Sequence, residues 1–178
     1  MKIMLVLLAL FFSASISAPI PADQWSENVE LSARSKIQHM AQAVSIAHRI
    51  RKAFRPKQNE AVFWSGSKKD KNGQMVSVHG YAKSFAQSNK KKIISQALFH
   101  HGIKIPNHKK NPLSSRLWNF ALKAWAVKAK GQIHAILGSK RRPGNTYDNI
   151  EKPALLKNPK VTKLIEHNAD TKHETTVK

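Results

Sequence analysis

Cysteine is absent from the 178 residues, which excludes disulfide staples, a thiol nucleophile and any thiolate metal centre. Acidic side chains are scarce. Only 10 Asp and Glu stand against 31 Lys and Arg, for a net charge of +21 with histidine neutral. Chemistry that needs paired carboxylates therefore has few places to reside. The 7 glycines form neither a GxxxxGK nor a GxGxxG run, which argues against the usual phosphate loops and ordinary ATP or Rossmann-type cofactors. GxSxG and HExxH are also missing, and the nine histidines fall at no recognisable ligand spacing, so neither a cofactor nor a metal centre is expected. After residue 12 no apolar run is long enough for a membrane helix, and no Asn-x-Ser/Thr sequon occurs.

What is present begins with Lys2, the apolar run Ile3 to Phe12 and the small-residue stretch SASISA. This pattern predicts a secretory signal peptide over residues 1–17, cut after Ser17 with Ala18 as the competing site, and hence an exported, extracellular chain without a membrane span. Cleavage removes one lysine and leaves a charge of +20. Such a charge predicts attraction to anionic partners: nucleic acid, acidic glycan, an anionic lipid surface or a phosphorylated small molecule. It does not choose among them, and the oligomeric state is not legible.

The clearest local pattern is SSRLWNFALKAWAVKAKGQIHAIL, residues 114–137. Leu117, Trp118, Ala121, Leu122, Trp125, Ala126 and Ala129 recur at helical spacing after a Ser cap, Gly131 suits a left-handed helix terminus, and 132–137 suits a buried parallel strand. A second helix is expected from Asp23 to about Phe54, within an N-terminal helical part at 18–56. Its apolar positions are Trp25, Val29, Ala33, Ile37, Met40, Val44 and Ala47. Strands are expected at 61–66, briefly at Ile93–Ile94, and at 161–165. A helix is expected over 76–88 after a turn at Asn72-Gly73. SQALFHHGIKI has no clear assignment, and HNADTKHETTVK reads as a disordered tail at 167–178. The expected fold class is α/β: an N-terminal helical part packed on a small, mainly parallel sheet flanked by helices, with the core at 57–166.

The few carboxylates can be sorted by position. Most fall in the first helix, the tail, the opening of the first strand, the end of the last strand (Glu166) or the lysine-rich loop, leaving Asp148 and Glu151, and Glu151 is the better placed, between Ile150 and Pro153. Trp64 and Ser65 fall at the carboxyl end of the first strand, where open α/β sheets place ligands.

Taken in order, FWSG at 63–66, the Trp118-to-Gly131 helix running into IHAIL, and IEKPALLKNPKV at 150–161 resemble the ADP-ribosyl cyclase/NAD glycohydrolase family, including its secreted fungal relatives. The resemblance covers about 110 residues, from about Val62 to Ile165. It implies that Trp64 and Trp118 wall a nicotinamide site and that Glu151 is the catalytic carboxylate, with NAD(P)+ as a substrate rather than a cofactor. Ser65, Arg141 and Arg142 are expected, from polarity and charge, to contact hydroxyls or the pyrophosphate. Two departures stand out: Ser95 occupies the place of a family acid, and Leu122 that of a family serine. These departures leave open a pseudoenzyme. They also leave open a non-catalytic basic effector that binds nucleic acid or acidic glycan through the lysine clusters at 68–71, 90–92 and 140–142. A ribonuclease-like activity ranks last, because no suitable His and Glu pair stands out.

Overall fold

The computed structural model describes residues 22–178, and the side chains among them from Ser32 onward. The expected signal peptide therefore lies outside the described residues. The chain divides into two units, 1–37 and 38–178. Helix α1 spans Ala22–Ala53. Within the second unit the order continues with β1 (Ala61–Ser65), the hairpin β2 (Ser67–Lys69) and β3 (Met75–Ser77), α2 (His79–Ser88), β4 (Lys92–Ile93) and α3 (Ile94–His100). It is completed by α4 (Ser114–Lys128), β5 (Gly131–Leu137), a π-helical turn (Tyr147–Glu151), α5 (Lys152–Lys157), β6 (Val161–Asn168) and β7 (Glu174–Thr176).

The fold is α/β. One five-stranded sheet has the order β4-β1-β5-β6-β7. β1 pairs in parallel with β4 and β5, β5 pairs in parallel with β6, and β7 closes the edge antiparallel to β6. Alternation along β1 and β5 feeds two cores. Phe63, Ile133, Ala135 and Leu137 join a large apolar cluster with α1, α3, α4 and α5. Val62 and Ile136 face the other way, into a smaller cluster with Val78, Ala82 and Ala86. Both faces of these strands are thus covered, as the near-continuous apolar runs require. From β1 the chain moves first to β4 on one side and then to β5 on the other. That reversal opens a crevice at the carboxyl ends of β1 and β5, the usual ligand position in such sheets.

Four expectations are corrected. On α1 the buried stripe is Ala43, Ile46 and Ile50, followed by Phe54, whereas Met40 and Val44 are 59% and 68% exposed. Two overlapping stripes satisfy helical spacing on this helix, and packing against Phe63 and Trp125 selects the one carrying isoleucines and Phe54. Gly131 does not end α4, which stops at Lys128. Its φ of +74° instead starts β5, and a Cβ there would lie 2.2 Å from Asn59 Oδ1, so side-chain closeness as well as backbone angle requires glycine. The helix expected over 76–88 begins at His79, because Met75–Ser77 pairs with Ser67–Lys69 as a hairpin.

The fourth correction concerns the tail expected to be disordered over 167–178. There β6 continues to Asn168 and Glu174–Thr176 pairs with it. Val177 N–H donates to Leu164 O at 2.9 Å, and Lys178 Nζ donates to the carbonyls of Leu156 (2.9 Å) and Asn158 (2.8 Å). Backbone pairing at an open sheet edge does not depend on apolar side chains, so a polar composition does not exclude a strand there.

Candidate functional site

The crevice at the ends of β1 and β5 is a cleft of about 970 Å³, a volume suited to a nucleotide-sized ligand. Strand β1 delivers Trp64 and Ser65 to it. Trp64 packs on the smaller core, and its ring lies 4.9 Å from that of His79, the first residue of α2.

Two close approaches hold the next wall against the end of β1. Ser67 and Lys140 exchange both backbone hydrogen bonds, at 2.9 and 3.1 Å, and Gly138 N–H donates to Ser65 O at 2.8 Å. At Gly138 a Cβ would lie 2.3 Å from the Ser67 carbonyl oxygen, so any other residue would push the two segments apart. The loop so held, 138–146, brings Lys140, Arg142 and Asn145 to the cleft. The Asn145 side chain organises the loop's exit: its Oδ1 accepts from Ser65 Oγ (3.0 Å) and from the Asp148 N–H (3.1 Å), while its Nδ2 donates to Arg142 O and the Asp148 carboxylate.

Glu151 closes the π-helical turn, in which Lys152 N–H reaches back to Tyr147 O. The widened turn is anchored from both ends. Tyr147 Oη donates to Glu166 Oε1 at 2.8 Å, and Lys152 Nζ pairs with the same oxygen at 2.8 Å. Burial, with Glu166 next in weight, pushes the Tyr147 hydroxyl well above its ordinary range, so it stays a proton donor. Glu151 itself is 3% exposed. Burial alone pushes its carboxyl up to about 8, so it is mostly protonated at neutral pH.

Helix α4 supplies the facing wall with Trp118, 38% exposed, together with Leu122 and Trp125. Trp125 is 2% exposed and packs edge-on against Phe54, and its Nε1 is the one buried side-chain polar atom without a partner among the described residues. Ser95, at the start of α3, also lines the cleft.

Of the residues singled out from sequence, Trp64, Ser65, Trp118, Arg142 and Glu151 line this one cleft, and Arg141 does not. The Arg141 guanidinium pairs with Asp148 at 3.1 Å, because the backbone bridge at Lys140 turns consecutive side chains to opposite sides. Sequence reasoning missed His79, Asn145, Tyr147 and Trp125. Trp125 was read only as part of the apolar face of α4, and nothing in local spacing marks the other three. Among the described residues no group of His, Asp and Glu side chains is arranged to hold a metal ion.

The chemistry available follows from these contacts. Two indoles offer flat faces for a planar, preferably cationic, ring. A desolvated carboxyl lining the same cleft gains most from ionising when a positive charge enters or develops beside it.

No protein-family model matches this sequence, and no curated protein matches it. Among solved structures, the chain is similar to Aplysia cyclase complexed with substrate NGD and product cGDPR, at 19% identity, a TM-score of 0.45, 64% of this chain and 50% of that one. It is likewise similar to ADP-ribosyl cyclase complexed with N1-cIDPR, at 18% identity, a TM-score of 0.46, 64% of this chain and 51% of that one. The chain spans about half the length of these solved chains.

Proposed function

We propose that this protein is an exported NAD(P)+ nucleosidase that cleaves the bond between nicotinamide and ribose. The observation that carries the reading is the convergence of Trp64, Trp118 and the buried Glu151 on one nucleotide-sized cleft. They come from three segments far apart in the chain, the same three whose sequences resemble the ADP-ribosyl cyclase/NAD glycohydrolase family.

In this reading the nicotinamide ring, a planar cation, lies against the indoles, and its charge drives the Glu151 proton off. The carboxylate then faces the ribosyl carbon as nicotinamide departs with the bonding electron pair, and it stabilises the oxocarbenium character that develops there. Water attack yields ADP-ribose and a proton; attack by a nitrogen of the same nucleotide's base yields a cyclic product instead. Arg142 and Lys140, at the other wall, face the pyrophosphate. Ser95 and Leu122 stand in the cleft where the family has an acid and a serine, so Glu151 acts without a second carboxylate. The test is nicotinamide release from NAD+ by the purified protein, compared with Glu151→Gln. Release lost in the variant supports the reading, and release no greater than that of the variant removes it.

A further inference from the structure

The three lysine-rich segments of the sequence meet different fates in the fold. The one at 90–92 is consumed at the amino end of the sheet: Lys92 pairs with Glu60 at 3.0 Å, and Lys91 Nζ donates to Asn59 O. The other two are brought together. The Ser67–Lys140 backbone bridge joins the β2–β3 hairpin, carrying Lys68, Lys69 and Lys71, to the loop carrying Lys140, Arg141 and Arg142. The joined edge is the cleft's own rim, because Ser67, Lys140 and Arg142 line the cleft.

Not every charge there is available. Lys68 lies over the Tyr81 ring and donates to Ala169 O, and Arg141 is paired with Asp148. Lys69, Lys71, Lys140 and Arg142 remain, and Lys69 and Lys71 are exposed on the hairpin. Asp70 lies between the two hairpin lysines and accepts from the Asn72 and Gln74 backbone N–H groups; four cations against this one carboxylate still exceed what one pyrophosphate neutralises, and they run from the cleft outward along the hairpin. The site thus alternates aromatic walls inside with a cationic track outside, the combination that holds single-stranded nucleic acid. An acidic glycan fits less well, since it offers no planar aromatic ring to lie flat on Trp64 or Trp118.

We infer that the cleft and its rim form a binding site for the end of a single-stranded nucleic acid, with the terminal base against Trp64 or Trp118 and the following phosphates along Arg142, Lys140, Lys69 and Lys71. This site shares the cleft with the proposed reaction but does not depend on nicotinamide chemistry.

The experiment is a titration of the protein with a fluorescein-labelled single-stranded RNA decamer, read by anisotropy and indole quenching over a salt series. Neutralisation of about four phosphates gives a log–log salt slope of about −3. In Lys69→Glu/Lys71→Glu, the affinity is expected to fall about tenfold or more and the slope to shrink by about half. In Lys157→Glu/Lys160→Glu, which makes the same charge change at exposed sites near the amino end of β6, binding should stay within about twofold of the parent.

Equal losses in the two double variants would reduce the effect to overall charge and overturn the site. So would tighter binding of a sulfated glycan of matched charge. NAD+ turnover and RNA binding, both measured on the parent protein, separate the two readings: turnover without RNA binding sinks only this inference, whereas RNA binding without turnover sinks only the enzymatic one.

Discussion

Ser65 Oγ donates a hydrogen bond to Asn145 Oδ1 at 3.0 Å across 80 positions of sequence, tying the end of β1 to the loop that leads into Glu151. The same Asn145 oxygen accepts from the Asp148 backbone N–H. One amide therefore sets where the π-helical turn starts relative to the strand carrying Trp64. Asn145→Ala removes both acceptor contacts and is expected to cost about 1–3 kcal/mol of stability. It should lower kcat of the proposed reaction by tenfold or more, because misplacement by about an ångström is costly to a positioned carboxylate. Ser65→Ala loses one contact and should cost about 1 kcal/mol. Urea titration and steady-state kinetics on both variants check the ordering, and a kcat loss for Ser65→Ala larger than for Asn145→Ala would contradict it.

Glu151 sets a pH dependence of opposite sign for activity and stability. Its carboxyl is pushed by burial from an ordinary 4.5 to about 8. Between those values the folded chain holds a proton that the unfolded chain has released, so stability falls as pH rises through the window. The total change is on the order of 4 kcal/mol. Glu151→Gln cannot ionise, so it should abolish turnover and yet be the more stable protein at about pH 9, with little difference at about pH 4. Turnover needs the carboxylate, so kcat/KM should rise with pH through about 8. kcat should rise at a lower pH, because bound cationic substrate favours the ionised form. Urea midpoints and pH–rate profiles test both halves. A stability gain for Glu151→Gln that does not grow with pH would contradict the assignment.

A second titrating group lies away from the cleft. His134 Nδ1 and His167 Nε2 are 2.7 Å apart, Gln132 Nε2 is 3.2 Å from His134 Nε2, and His167 Nδ1 is 3.0 Å from Glu174 on β7. With the Gln132 amide donating, both rings are neutral and the chain of donors runs toward Glu174. Burial first, then Lys91, His167 and Lys163, hold His134 down to about 4. Its folded value is depressed, so below about 6.5 the unfolded chain takes up a proton that the folded chain refuses, and stability drops as pH falls from about 6.5 to about 4. Because the ring is only partly buried, screening reduces the effect to about 1–2 kcal/mol. Thermal melts across this range should show His134→Gln flattening the acid loss. An unchanged slope would contradict the account.

The two wall tryptophans should separate in their effects. Trp64 packs against the smaller core that includes Val62 and Ile136, so Trp64→Ala should lose about 2–4 kcal/mol of stability along with ligand binding. Trp118, 38% exposed, should cost under about 1 kcal/mol on truncation while weakening ligand binding by about tenfold or more. Chemical denaturation and nucleotide-induced fluorescence quenching measure the two quantities. Strong destabilisation by Trp118→Ala would show that its role is packing.

The elements most legible in the sequence were those whose pattern and packing agree. β1 and β5 carry apolar residues on both faces, because both faces are covered, and α4 shows its helical repeat plainly. On α1 the repeat is ambiguous by one stripe, since Met40 and Val44 compete with Ile46 and Ile50 for the same spacing and only tertiary contact decides. β7 was illegible because its stability lies in backbone pairing to β6 rather than in its Glu174-Thr175-Thr176 side chains. The candidate site followed similar lines. Trp64, Trp118 and Glu151 sit in recognisable segments, whereas Asn145 and His79 acquire their places only through the hairpin and loop that fold over the end of β1.

The central claim is that the cleft breaks the nicotinamide–ribose bond, and nicotinamide release from NAD+ tests it most directly. Followed chromatographically at saturating substrate near pH 8, the protein should release nicotinamide at a steady rate that Glu151→Gln reduces to background. Equal rates for the two proteins, or no release by either while nucleotide still quenches the indoles, would contradict it.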